Sequence, residues 1–139
     1  NYWIEKPLYY GTFGQDTSLR LFKKGSGKWE GIEPHDRYCC NGKVLSLQGF
    51  LYHQPYRSWK EHIEHINVYT SIAADDLHKN GTVVYIWDVL LRPIWHIVIA
   101  IAVRFAWLDG PRGVLVALLG GYYVLLKWGK LLWKQQRSL

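Results

Sequence analysis

Methionine is absent from the 139 residues, and the chain opens on Asn1 rather than on an initiator. A processed product, an ordered remnant or a fragment of a longer protein would each look like this, and a fragment is the expectation taken forward. Cysteine is nearly absent too. Cys39 and Cys40 are neighbours, which bridge only through a strained small ring and which cannot supply the four ligands of a zinc site. A disulfide framework is excluded, and a reducing compartment is the default. The first residues lack the charged-then-apolar pattern of a secretory leader. There is no glycine-rich phosphate loop, no nucleophile elbow and no Asp-x-Asp pair. The adjacent carboxylates that do occur, Asp75-Asp76, sit late in a helical pattern. No clean run of roughly 20 apolar residues offers a membrane span.

What the chain has instead is aromatic and basic. Eight Trp and ten Tyr exceed what a small soluble core needs, and both side chains suit a boundary between apolar and wet surroundings. A net charge of +6 admits nucleic acid, anionic lipid or phosphorylated substrates. No zinc-finger or RNA-binding motif accompanies the basic residues, so nucleic acid is not expected as a partner. A membrane surface or a phosphate-bearing substrate is.

The order of elements reads as α+β. The aromatic segment 1–14 is broken by Pro7, Gly11 and Gly14. Alternation over 18–23 predicts a short strand with Leu19 and Leu21 on one face, followed by a loop over 24–31. Asn41-Gly42 predicts a type I′ hairpin between strands over 37–40 and 43–47, the second with a candidate continuation past Gly49 through 50–53. Ser58-Trp59-Lys60-Glu61 is a capping box. The helix it opens carries Trp59, Ile63, Ile66, Tyr69, Ala73 and Leu77 as its apolar face and closes at Asn80-Gly81. From 83 onward the chain turns apolar: a stretch over 86–108 that Pro93 should bend or break, a stop at Asp109-Gly110-Pro111, and a second stretch over 113–132. Two interfacial helices fit better than a spanning pair, with Lys127, Lys130, Lys134 and Arg137 facing anionic headgroups. The resulting division is 1–57, strands and a loop; 58–81, an amphipathic helix; and 82–139, a membrane-associated helical pair.

Several residues bear chemistry. His35-Asp36 follows Pro34 between strands, where His35 is a candidate metal or phosphate ligand and Asp36 a candidate general base. Arg20 and Lys23, with Lys24, form a basic cluster suited to a diphosphate. Trp29 anchors the loop after it. His53 and Tyr56, flanking Pro55, are packing or pocket residues. His62 and His65 lack the spacing of a zinc-protease helix, in which the histidines stand four apart, and are expected on a solvated face.

The order of short motifs also carries a likeness. Arg20-Leu21-Phe22-Lys23-Lys24, Trp29-Glu30-Gly31, His35-Asp36, Gly42-Lys43-Val44 and Leu51-Tyr52-His53 resemble the C-terminal half of bacterial glycosyltransferase family 2 enzymes, most closely the lipopolysaccharide-core glucosyltransferase branch. The resemblance continues through Tyr56-Arg57-Ser58, Asn67-Val68-Tyr69, Leu91-Arg92-Pro93, Leu108-Asp109-Gly110 and Tyr123-Val124-Leu125-Leu126-Lys127, and so covers about 14–132. It implies the C-terminal part of a GT-A-type fold whose donor-binding half, with an Asp-x-Asp site for a divalent metal (Mg or Mn), lies upstream. His35 would help hold that metal and the diphosphate, and Asp36 would deprotonate the acceptor hydroxyl in an inverting transfer. The branch usually has Glu where this chain has Asp36. Arg20, Lys23, Trp29, His53 and Tyr56 would meet substrate. The implied partners are a nucleotide-sugar donor, a lipid-linked or glycolipid acceptor, the N-terminal catalytic half and the cytoplasmic face of the bacterial inner membrane. The alternative is a small non-enzymatic membrane-associated subunit.

Overall fold

The computed structural model describes residues 1–14, 19–31, 37–47, 49 and 52–137. The fold is mixed, with short antiparallel strands and three helices. It divides into two compact units: Asn1–Gln15 together with Tyr52–Leu139, and Asp16–Leu51.

The larger unit begins with a minimal hairpin, β1 (Tyr2–Trp3) paired with β2 (Lys6–Pro7). Its two-residue loop, Ile4-Glu5, holds both residues at positive φ (45° and 65°). That is type I′ geometry, achieved without the Asn or Gly that normally relieves it. Ile4 is held there by packing against the core that contains Trp3 and Leu8. A 3-10 turn, Gly11–Phe13, follows.

Helix α1 (Trp59–Lys79) starts where the capping box places it. Ser58 Oγ accepts from the Glu61 amide at 3.1 Å, and Glu61 Oε2 reaches back to the Arg57 amide at 2.7 Å. Its buried row, however, is His62, Ile66, Thr70 and Ala74. Trp59 and Ile63 remain exposed, so the buried row shares Ile66 with the expected apolar face but runs at strict four-residue spacing, through 62, 70 and 74 in place of 63, 69 and 73. The solvated position expected for His62 is overturned, because that ring is 4% exposed. The reason is a neighbouring helix: rows at four-residue spacing nest against it, and small or compact side chains fit the contact better than Trp59 would.

Helix α2 (Ile86–Val98) runs through Pro93 without breaking and ends in a π turn, Ile99–Val103. Pro93 is buried against α3 (Gly110–Arg137), where its carbonyl oxygen faces Gly121. The chain reverses instead at Phe105, left-handed at φ 54°, and at a 3-10 turn, Ala106–Asp109. Gly110 (φ 67°) and Pro111 open α3 where the stop was expected. The two helices are antiparallel. Val84 lies beside Gln135, Arg92 beside Trp128, His96 beside Gly120 and Ala106 beside Gly113. Close approach requires the glycines: a Cβ at Gly113 would stand 1.8 Å from the Ala106 carbonyl oxygen.

On its other side α3 runs parallel to α1. Lys130 Nζ donates to Asn67, Thr70 and Ser71, and Lys134 pairs with Asp75. Of the four basic residues expected to face headgroups, Lys130 and Lys134 therefore point into α1, while Lys127 and Arg137 lie over aromatic rings of α3 itself. Three apolar clusters follow α3 along its length, around Ala117, around Val116 with Leu119, and around Leu131.

The N-terminal segment closes one end of this layer. Asp109 Oδ2 accepts from the Tyr9 and Tyr10 amides, and the Gly11 amide donates to the Arg104 carbonyl. The Asn1 side chain donates to the Phe13 and Gly14 carbonyls and lies 3.2 Å from His53 Nδ1.

The smaller unit holds β3 (Gly27–Glu30) against β4 (Arg37–Cys40) in register Trp29↔Tyr38. The strand expected over 18–23 is not formed by 19–23, and the strand expected over 43–47 is absent as well. Alternation there has no apolar surface to face, and Leu21 is 76% exposed. The partner chosen by β4 is β3, within the expected loop, because that pairing brings Trp29, Tyr38 and Phe22 together. Gly27 permits it: a Cβ there would meet the Cys39 carbonyl at 2.1 Å. Both cysteines are free.

Candidate functional site

In the smaller unit the hairpin presents an aromatic triad. Phe22 stacks on Tyr38 with ring centroids 3.6 Å apart, and Trp29 stands edge-on to both. The indole of Trp29 is 60% exposed, so one flat apolar face is left open. A tight turn sets Phe22 in place, since the Lys23 carbonyl accepts from both the amide and the hydroxyl of Ser26. Arg20 and Lys23 are exposed beside this turn in sequence. Next to Trp29, Glu30 bonds the Lys28 ammonium at 2.9 Å. That contact, then the Cys39 thiol and the Arg37 charge, holds the carboxyl below its usual range. His35 and Asp36, which fall between β3 and β4 in the sequence, lie outside the described residues.

In the larger unit, the expected pocket residues are built into packing. Tyr56 stacks on His62 at 3.9 Å, and Phe13 and Trp3 close the other sides. Trp3 Nε1 donates to His62 Nδ1 at 2.9 Å, which fixes the proton of the neutral ring on Nε2. Burial, with His65 nearby, pushes the His62 pKa down to about 4. Burial likewise raises the Tyr56 phenol above its ordinary value. A neutral ring whose Nδ1 lone pair is already used is a poor base, so this cluster fastens the first strand to α1. His53 serves the same end, accepting the Tyr2 amide with its carbonyl.

Of the expected site residues, Arg20, Lys23 and Trp29 therefore belong to one unit and His53 and Tyr56 to the other. Among the described residues no group of three His, Cys, Asp or Glu side chains converges to hold a metal. The chain's described donors do not by themselves fit the implied divalent ion, and no chemical step is assigned to it.

A different surface was only partly foreseen. Segments Ile86–Val103 and Ala106–Arg137 are long and apolar enough to cross a membrane, yet only 17% and 28% of them is buried inside the protein. Core helices of a soluble protein bury far more. On α2, Trp87, Leu91, Ile94 and Trp95 are all more than half exposed. The signal that could have found Trp3 and His62 was the row 62-66-70-74, which the larger side chains of α1 obscure.

Comparison with known proteins returns nothing: no protein-family model fits the chain, no curated protein is similar to it and no solved structure matches it.

Proposed function

We propose that this chain is the acceptor-side portion of an inverting, metal-dependent glycosyltransferase with a GT-A-type fold. It works at a membrane surface, and its donor-binding half lies upstream of Asn1. The reaction moves a sugar from a nucleotide donor to a lipid-linked or lipopolysaccharide-type acceptor at the cytoplasmic face of the inner membrane. The reading starts from the ordered motifs 20–24, 29–31 and 35–36. The observation that carries it further is the exposed indole of Trp29, backed by the Phe22–Tyr38 stack. An open aromatic face matches the apolar C–H face of a pyranose ring, and Arg20 and Lys23, close to Phe22 in sequence, match phosphate. Asp36 would take the acceptor proton, and His35 would steady the diphosphate.

The test is sugar transfer by the full-length protein in membranes, with a panel of labelled nucleotide sugars. Asp36→Asn should cost about 10²- to 10⁴-fold in rate, and His35→Ala should do at least as much. Undiminished transfer by either variant removes that residue from the site. Absence of transfer with every donor, together with a start codon just before Asn1, favours the non-enzymatic membrane subunit.

A further inference from the structure

Helices α1 and α2 flank α3 on two sides, and the third side of α3 is bare. Leu115, Leu118, Tyr122 and Leu125 recur there at three- and four-residue spacing, all exposed, on the face that neither neighbour covers. They adjoin the exposed apolar side of α2, and a shallow groove floored by Gly129 between Val89, Leu125 and Trp133 opens between the two helices. The outer side of α1 is different in kind, with Lys60 and Glu64 largely in solvent. The outer side of α1 mixes these charges with exposed Trp59, Ile63, Val68 and Ile72, whereas the exposed side of α2 and the bare face of α3 are apolar.

We infer that the α2–α3 hairpin lies flat in one leaflet of an anionic bilayer, with α2 and the bare face of α3 in the acyl boundary and α1 in water. This deepens the membrane reading above and rests on it. Spanning is ruled out by α1. That helix accompanies α3 from the Ile66–Val116 core to the Asp75–Lys134 pair. Standing α3 upright would therefore carry Glu64, Asn67 and their neighbours on the middle of α1 into hydrocarbon, where a central charge costs about 2.5–3.5 kcal/mol. The turn end is closed as well, because 104–110 is tied to the N-terminal segment, which brings Glu5 and Lys6 with it.

Lipid fits this face better than a protein partner does. The hydrogen-bonding groups of the patch are chiefly the Tyr122 hydroxyl and the Trp87 and Trp95 indole N–H groups, amphipathic side chains suited to a lipid boundary, whereas a protein interface carries about one bond per 100–200 Å². Trp87, Trp95 and Trp107 are placed as interfacial aromatics. At the turn, exposed Phe105 and Leu108 stand among Arg104 and Arg112, and the nearby Asp109 carboxylate is occupied by the Tyr9 and Tyr10 amides.

Single cysteines at Trp87, Leu91, Val98, Leu118, Lys60 and Glu64, introduced after Cys39→Ser and Cys40→Ser, can carry a nitroxide on phosphatidylcholine vesicles containing phosphatidylglycerol. Relative collision rates with oxygen and a water-soluble nickel complex then give depth. The expected result is that the α2 and α3 sites share one shallow depth within about 5 Å while Lys60 and Glu64 stay in water, since an in-plane helix has no depth gradient. Omitting the anionic lipid should weaken binding about tenfold or more if Arg104 and Arg112 meet headgroups. A depth difference of about 16 Å between Trp87 and Val98, the rise of an upright helix over that interval, overturns the orientation while leaving membrane association standing. Labels that never leave water on vesicles, but are shielded by a co-purifying protein, overturn both. Should any labelled variant misfold by circular dichroism, quenching of the unsubstituted protein's tryptophans by brominated lipids answers the same question. Stronger quenching by bromine near the headgroup supports the flat arrangement, and stronger quenching by bromine near the chain ends refutes it.

Discussion

Lys130 Nζ on α3 stands 2.8 Å from Asn67 Oδ1 on α1, and the same ammonium reaches the Asn67 carbonyl, Thr70 Oγ1 and Ser71 Oγ. Three N–H groups serve four acceptors, so one cation sets the register between the two helices. A lysine that reads in the sequence as part of a basic surface stripe is thus an interhelical clamp.

Replacing it by methionine keeps the stem and removes the donors. Lys130→Met should destabilise the larger unit by about 1–3 kcal/mol, the usual cost of stranding partly buried acceptors that had a charged partner. Urea denaturation reads this directly. In a double-mutant cycle with Asn67→Ala, additive effects would show that the pair is not coupled.

The His62–Trp3 contact gives a pH dependence with a definite sign. The folded ring titrates near 4, below the value of about 6.5 for an unfolded histidine. Above the unfolded value neither state is protonated, and His62 contributes no pH dependence. As pH falls from about 6.5 to 4, the unfolded chain takes a proton that the folded one refuses, and stability declines by about 2 kcal/mol. Asp75 acts in a lower window, because the Lys134 bond depresses its pKa from 3.8, so its stabilisation is lost only below that. His62→Gln should flatten the profile between 6.5 and 4 relative to wild type; an identical slope would show that this ring does not carry the effect.

The glycines of α3 predict an order of damage. Gly113→Ala drives a Cβ into the Ala106 backbone, whereas at Gly120 the atom in the way is His96 Nε2, on a side chain that can rotate. Gly113→Ala should cost about 3 kcal/mol and Gly120→Ala about 1, measured by the same denaturation. The reverse order would mean that the hairpin turn yields more readily than the helix contact.

For the proposed transfer, Trp29→Ala removes the open ring while Tyr38 and Phe22 can still stack. The apparent KM for acceptor should rise tenfold or more with a smaller change in kcat, while Trp29→Phe should recover most of the loss. A variant with unchanged KM would place the acceptor elsewhere.

Local chemistry carried the parts of the fold that are local. Ser58 and Glu61 announce α1, and Asp109-Gly110-Pro111 marks the turn into α3, because caps and stops depend on a few adjacent residues. The strand over 37–40 forms where it was expected, but its partner was misplaced, because strand pairing is decided by partners. Asn41-Gly42 permits a type I′ turn, but Lys43–Leu47 offers β4 no ring to pack on, and Trp29 does. The same blindness hid the buried row of α1, since whether 62, 70 and 74 or 63, 69 and 73 are covered depends on α3, and it hid Ile4-Glu5, where packing overrides an unfavourable turn composition. The contact of Trp29 with Tyr38 follows from the β3–β4 pairing, which the sequence does not announce.

The Asn1 side chain, bonded to the carbonyls of Phe13 and Gly14 and facing His53, has a topological consequence. The chain leaves the helical layer and re-enters it through a single residue, so 16–51 is an insertion whose two stems are already side by side. Replacing it with a few glycines shortens the closed loop about tenfold and lowers its closure cost by about 2 kcal/mol. The helical layer is a host that should fold without its guest, and the β3–β4 hairpin is a module that can be exchanged while the helical layer stays as it is.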